Sequence, residues 1–274
     1  MEAEGTSGTL RRAANVVGAV LQVLVGAGGM TLLGLDVGRV SDQNATLVVP
    51  AGYAFVIWSP IFTLCLAYAV FQALPDNHGK PLLRRVGWFT AGTFWLNAVW
   101  EVLFPSGWFG LAEIVIVGGF ACAGTAYARM VRTANGRALD AAERWLVALP
   151  LGLLAGWLTA AVFVSVATTG VALGLLSGGA GEALLGAQLL LLLGVVASVM
   201  IGYGRAVPAG FLPYATAVLW GLAAVVVNQY SNSLLTTVAA LVSFVLVAAI
   251  TGQTLRGGWP HARRESAPLP QAST

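Results

Sequence analysis

Apolar and polar residues follow one another along this chain in long blocks. Eight apolar runs stand out, at about 13–34, 50–74, 82–104, 108–131, 144–167, 184–204, 211–229 and 233–254. Each is near the ~20 residues that an α-helix needs to cross a bilayer. Polar connections separate them. Leu35–Val49 is rich in Asp, Asn, Ser and Thr. Pro75–Pro81 carries Asp76, Asn77, Gly79 and Lys80, a turn signal. Pro105-Ser106-Gly107 breaks the third run from the fourth, and 132–143 holds Arg132, Arg137, Asp140 and Glu143. A Gly-rich stretch at 169–183 could partly extend the fifth helix or re-enter the membrane. The run at 13–34 follows Arg11-Arg12 but is longer than the apolar core of a secretory signal and ends without a clear cleavage site. It is therefore taken as the first helix.

The basic residues test the count. With the N-terminus inside, Arg11, Arg12, Lys80, Arg84, Arg85, Arg129, Arg132, Arg137, Arg144, Arg205, Arg256, Arg263 and Arg264 all fall on the cytoplasmic side, and only Arg39 falls outside. The positive-inside rule asks for such a split, and one helix more or fewer would break it. The expectation is eight spans in a cell (inner or plasma) membrane with both termini cytoplasmic. Residues 257–274, rich in Pro and Arg, read as a disordered cytoplasmic tail.

Composition agrees. Of the 274 residues 58% are hydrophobic and 9% charged, where soluble domains carry about 25% charged. The fold class is all-α, a polytopic membrane helical bundle. The net charge of +3 makes no case for a nucleic-acid partner, because the basic residues lie where topology demands them. The partner implied instead is membrane lipid. Cys65 and Cys122 sit inside apolar runs and read as packing residues. No Cys/His/carboxylate set has metal-ligand spacing, and no cofactor is implied.

The chemistry-bearing residues gather in the outer half of the membrane. On the second run Tyr53, Phe55, Trp58 and Phe62 crowd the entry behind Pro50. Phe55, Trp58 and Phe62 share a face at three- and four-residue spacing. On the third run Asn97, Trp100, Glu101 and Phe104 do the same. Asn97 reads equally well as an interhelical hydrogen bond that fixes packing, and Glu101 as a carboxylate in headgroup water. Trp157 lies near the midplane of the fifth run, where Gly152-x-x-x-Gly156 would by itself permit close helix contact. Trp220, Ala224 and Asn228 repeat at intervals of four on the seventh run. Gln22 has no evident partner.

Three of these stretches resemble the tryptophan-rich sensory protein (TspO, or translocator protein) family. Pro50, Gly52, Tyr53, Phe55, Trp58 and Phe62 take the places of its P-P-G-W-x-F-x-x-x-W-x-x-x-Y motif. Ala51 replaces the second proline, and the Phe-to-Trp spacing is one residue shorter. Asn97, Trp100 and Phe104 are similar to its N-x-x-W-x-x-x-F signature. Leu111-Ala112-Glu113 resembles the A-L-x-D that follows, with Glu for Asp. Pro150 and Gly156-Trp157-Leu158-Thr159-Ala160 resemble its P-Y-L-x-W-x-x-x-A stretch, at a longer Pro-to-Trp spacing and without the terminal Asn. The chain is thereby identified as a divergent member. The motifs cover about residues 13–168, so the expected organisation is a TspO-like five-helix domain at 1–168 and a three-helix extension at 169–256.

The resemblance implies a bundle that binds hydrophobic, planar ligands such as porphyrins or sterols. The residue reading agrees in kind, since aromatic faces with one or two polar groups make a small-molecule site. The expected ligand set is Tyr53, Phe55, Trp58, Phe62, Asn97, Trp100, Glu101, Phe104 and Trp157, holding a hydrophobic small molecule of tetrapyrrole or sterol kind. The last three helices are expected to buttress or dimerise the bundle, a homodimer being one outcome, and to stay out of the pocket. The alternative is a secondary transporter or permease for a small amphiphilic solute. No catalytic triad, P-loop or Rossmann glycine pattern is present, so an enzyme is not expected.

Overall fold

A computed structural model describes residues 2–28, 37–134, 137–176 and 178–257. The long helices are α1 (Glu2–Gly28), α3 (Trp58–Ala73), α4 (Pro81–Leu103), α5 (Phe109–Ala134), α7 (Leu149–Ala172), α8 (Gly179–Tyr203), α9 (Pro208–Gln229) and α10 (Leu234–Arg256). Two short ones complete the set, α2 (Val37–Gln43) and α6 (Ala141–Glu143). Among the described residues there is no strand. The eight expected apolar runs thus become eight long helices. Among the described residues six spans are long and apolar enough to cross a membrane: Gly52–Ala73, Phe109–Ala134, Ala141–Ala172, Gly179–Ala206, Pro208–Gln229 and Leu234–Arg256. α1 and α4 fall short in hydropathy because they carry the polar residues described below, Asn15 and Gln22 on one and Asn97 and Glu101 on the other.

The element boundaries differ from expectation in four places. The helix that contains the first run begins at Glu2, so the polar residues before Arg11 are helical too; its expected end at 34 lies outside the described residues. The second span enters as a 3-10 turn over Gly52–Ile57 and becomes α-helical at Trp58, because Pro60 then falls in the first α-helical turn, where its missing N–H breaks no hydrogen bond. The connection 37–49 contains α2, too short for periodicity to reveal. The fifth span enters through α6 and a π-helical turn at Arg144–Ala148, and α8 starts at Gly179. In between the chain turns at Gly174, Gly178 and Gly179, whose positive φ angles favour glycine. The expected tail falls almost wholly outside the described residues.

Polar contacts tie the ends of the bundle and fix which loops share a side. Lys80 reaches the Asp140 carboxylate at 3.2 Å, and Arg129 donates to the Arg85 carbonyl at 3.3 Å. These link the loop before α4 to the end of α5 and the loop after it. Asp140 caps α6: its Oδ1 accepts from the Glu143 N–H at 2.7 Å, while Glu143 accepts from the Asp140 N–H at 3.3 Å and holds Arg137 in two further bonds. At the other end Gln229 donates to the Thr46 and Val49 carbonyls, Asn228 to Val49, and the Leu47 N–H to Glu182.

The core is one connected cluster running from Ala19 to Val247. Its axis is α7, the most buried of the six candidate spans. α7 packs against α9 with no side chain between the backbones: a Cβ at Gly152 would strike the Gly210 carbonyl, and one at Gly156 the Tyr214 carbonyl. The Gly152-x-x-x-Gly156 spacing therefore acts as a close-contact motif. Beside it the Tyr214 hydroxyl and Thr159 Oγ1 share a buried hydrogen bond of 2.8 Å.

Gly156→Leu should separate α7 from α9 and cost at least about 3 kcal/mol, the top of the usual range for overpacking. Gly124→Ala, where nothing lies within 4 Å of the new Cβ, should leave stability unchanged or slightly raised. Thermal unfolding of the purified variants checks both. The Glu143 N–H, followed by Lys80, holds the Asp140 carboxyl below the usual carboxylate range. The cap is then intact above the unfolded pKa of ~3.9 and is lost only as pH falls through the lowered native value. Asp140→Ala should cost about 1 kcal/mol at pH 7. It should cost the same at pH 5, and nothing once the native carboxyl is protonated, as unfolding curves along a pH series would register.

Candidate functional site

The aromatic residues flagged in the sequence converge on α7. Trp157, on the turn after the Gly156 contact, meets the Trp58 ring edge-on at 6.0 Å between centroids and the Phe55 ring at 6.2 Å. Trp58 is stacked on Phe62 at 4.9 Å. Trp100 is stacked on Phe104 at 5.0 Å, as their four-residue spacing on α4 permits. Phe55, Trp100, Phe104 and Trp157 then line one apolar pocket in the half of the bundle away from the Lys80–Asp140 loops. α2 covers it with Val37 and Ser41, α5 contributes Ile116, and α7 continues the wall with Ala160, Val164, Ser165 and Thr168.

The far wall differs from expectation. Leu193 of α8 and Gly221, Leu222 and Val225 of α9 line the same pocket, so the last three helices do not merely buttress it. α9 can do this because Gly221, facing Ala160 and Trp157, lets it lie close to α7. The free space is about 50 Å³, well under the ~300–1,000 Å³ of sites that take drug-sized ligands. Among the described lining residues the hydroxyls of Ser41, Ser165 and Thr168 and the indoles of Trp100 and Trp157 are the polar side-chain groups. One polar atom within the wall has no protein partner: the indole N–H of Trp157, whose side chain is almost fully buried.

Trp58 and Phe62 stand behind Trp157 and do not line the pocket. Tyr53 is half exposed and packs edge-on against Trp220 at 5.5 Å. Asn97 and Glu101 turn the other way, toward α1. Asn97 donates to Gln22 Oε1 at 3.4 Å, which gives Gln22 the partner its sequence did not suggest. The packing reading of Asn97 is thus the one the structure realises. Glu101 lies buried against Gly26 and Phe62, with one carboxylate oxygen unpartnered, and not in headgroup water. Trp220 and Asn228, noted for their spacing, hold the entry segment: Trp220 Nε1 donates to the Ala54 carbonyl at 2.9 Å and Asn228 to Val49 at 3.0 Å.

Ser165 and Thr168 were missed, although the face of Trp157 continued by three and four residues passes through Ala160, Val164 and Thr168. The α2 and α9 contributions carried no sequence signal, since small and aliphatic residues look alike wherever they point. Among the described residues no three His, Cys, Asp or Glu side chains gather in one place.

The fold defines a polytopic helical membrane protein. The family model of TSPO-like proteins matches residues 12–252, and the chain belongs to that family. The match runs from α1 into α10, well past the three motifs. As a TSPO-like protein it stands among membrane sensor and ligand-binding proteins. No curated protein and no solved structure gives a significant match.

Proposed function

We propose that this protein is a membrane receptor or carrier for a hydrophobic planar ligand of tetrapyrrole or sterol kind, bound against Phe55, Trp100, Phe104 and Trp157. The observation that carries the reading is the unpartnered Trp157 N–H in that wall. A buried donor without an acceptor costs roughly 1–3 kcal/mol. A ligand carbonyl or carboxylate would supply the missing bond while the rings supply area and stacking. The small volume implies that binding opens the chamber. α2, which covers the pocket with Val37 and Ser41, is the part that would move. Both ends of the chain face the cytoplasm in this reading, supported by the basic residues on the Lys80–Asp140 side.

Titration of the purified protein in nanodiscs with protoporphyrin IX, read by tryptophan fluorescence, tests the site. Trp157→Phe keeps a ring and removes the donor, and should weaken binding by about 1 kcal/mol. Trp100→Ala should weaken it by about 1–3 kcal/mol. Unchanged affinity in both variants would remove the pocket from consideration. A parallel titration with a sterol separates the two ligand kinds. For topology, a reporter fused after Arg256 should read as cytoplasmic and one inserted at Asp42 as external; the reverse at either position sinks the orientation.

A further inference from the structure

A second site, unrelated to the aromatic chamber, lies at the opposite end of the bundle. We propose that the cleft between the start of α1 and the first turns of α4 binds the phosphate-bearing headgroup of an anionic phospholipid. The cleft measures about 530 Å³ and is lined by Arg11, Arg12, His78, Arg84, Trp88 and Ser7, with Gly8.

The argument starts from Arg11. Its side chain is only 6% exposed, yet its Nε has no hydrogen-bond partner among the described residues. Among the described residues the Arg12 guanidinium has no ion pair and donates to Thr9 Oγ1 at 3.0 Å. A buried cation is costly unless something anionic meets it. The fold makes deliberate room for this one. Arg11 lies flat across Gly87, where a Cβ would come within 2.7 Å of its Cδ and 3.0 Å of its Nε. Its backbone is held there as well, because Asn15 Nδ2 bonds both the Arg11 and the Gly87 carbonyls at 2.9 and 2.7 Å. A guanidinium fixed in this way offers a planar fork suited to phosphate oxygens.

The source of the phosphate follows from depth. Trp88, at 47% exposure, and Leu10, at 61%, flank the cleft and face outward. An exposed tryptophan beside arginines at the end of a membrane helix marks the bilayer interface. Basic pockets between membrane helices at that level take anionic headgroups. A lipid whose acyl chains run down past Trp88 would set its phosphate among the arginines, and a soluble phosphate would lack that anchor.

The test uses the full-length protein in a mild detergent, with its unfolding temperature measured after adding phosphatidylglycerol, phosphatidylcholine or inorganic phosphate. Phosphatidylglycerol should raise the unfolding temperature by several degrees over phosphatidylcholine, as linkage to a ligand of the folded state requires, and inorganic phosphate should raise it little. Arg12→Gln should remove most of the gain. Gly87→Ala leaves every charge in place but displaces Arg11, so it should remove the gain too. Equal stabilisation by the two lipids overturns the proposal. So does a gain that survives both substitutions, which would make it a general effect of net charge. If inorganic phosphate alone matches phosphatidylglycerol, the occupant is a free phosphate and the lipid assignment fails. Retention of phosphatidylglycerol by native mass spectrometry, lost in Arg12→Gln while protoporphyrin titration is unchanged, distinguishes this site from the aromatic one.

Discussion

The close approach of α7 to α9 is the constraint on which the rest depends. Lipid gives helices little hydrophobic reason to associate, so packing and interhelical hydrogen bonds must do it. At Gly152 and Gly156 the α7 backbone rests on the Gly210 and Tyr214 carbonyls, and the Thr159–Tyr214 bond closes the contact on one side. That contact fixes the angle at which Trp157 leaves α7. Trp157 in turn is the surface against which Phe55 and Trp58 set their edges. Move α9 away and the chamber loses a wall and its central tryptophan at once. For this reason α8 and α9 do more than pack on the first five long helices: they close the chamber wall.

Two polar systems divide the molecule. One is a seam through the α1–α3–α4 interface, where Asn15, Thr90 and Tyr68 are joined by hydrogen bonds of 2.6 and 2.9 Å. Gln22 and Asn97 follow further along, and Glu101 stands near its end. The other is the thin hydroxyl edge of the aromatic chamber. The two are kept apart by helix geometry. On α4, Asn97 and Glu101 look to α1, whereas Trp100 and the capping Phe104, three residues further on from each, line the chamber with α7. A single helix thus spends one face on fixing its neighbour and another on the chamber, and neighbouring residues in the motif acquire different duties.

The sequence made the fold legible wherever one residue type could have only one explanation. Long apolar runs, the proline and glycine breaks, and the lopsided basic residues gave the eight helices and their order. The aromatic face of Phe55, Trp58 and Phe62 was readable too, and it does meet Trp157. What could not be read were properties of facing helices. Asn97 carries the same periodicity whether it points at a ligand or at Gln22, and only the position of α1 decides. Gly221 and Val225 line the chamber for reasons that lie in Gly152 and Gly156, some seventy residues earlier. α2 escaped because seven residues are fewer than two helical turns of evidence once its polar residues are set aside.

The end of the chamber nearest α2 is set largely by backbone hydrogen bonds. The segment from Thr46 to Ala54 is held less by side-chain burial against α7 than by backbone groups captured from α9. Gln229 and Asn228 take the carbonyls of Thr46 and Val49, Trp220 takes that of Ala54, and the Ala51 N–H gives to the Ala224 carbonyl at 3.0 Å. These bonds fix the entry to the second span and with it Phe55. The chain just before them, α2, meets the chamber through Val37 and Ser41. The side of the wall that carries the rings is therefore set by backbone bonds to α9.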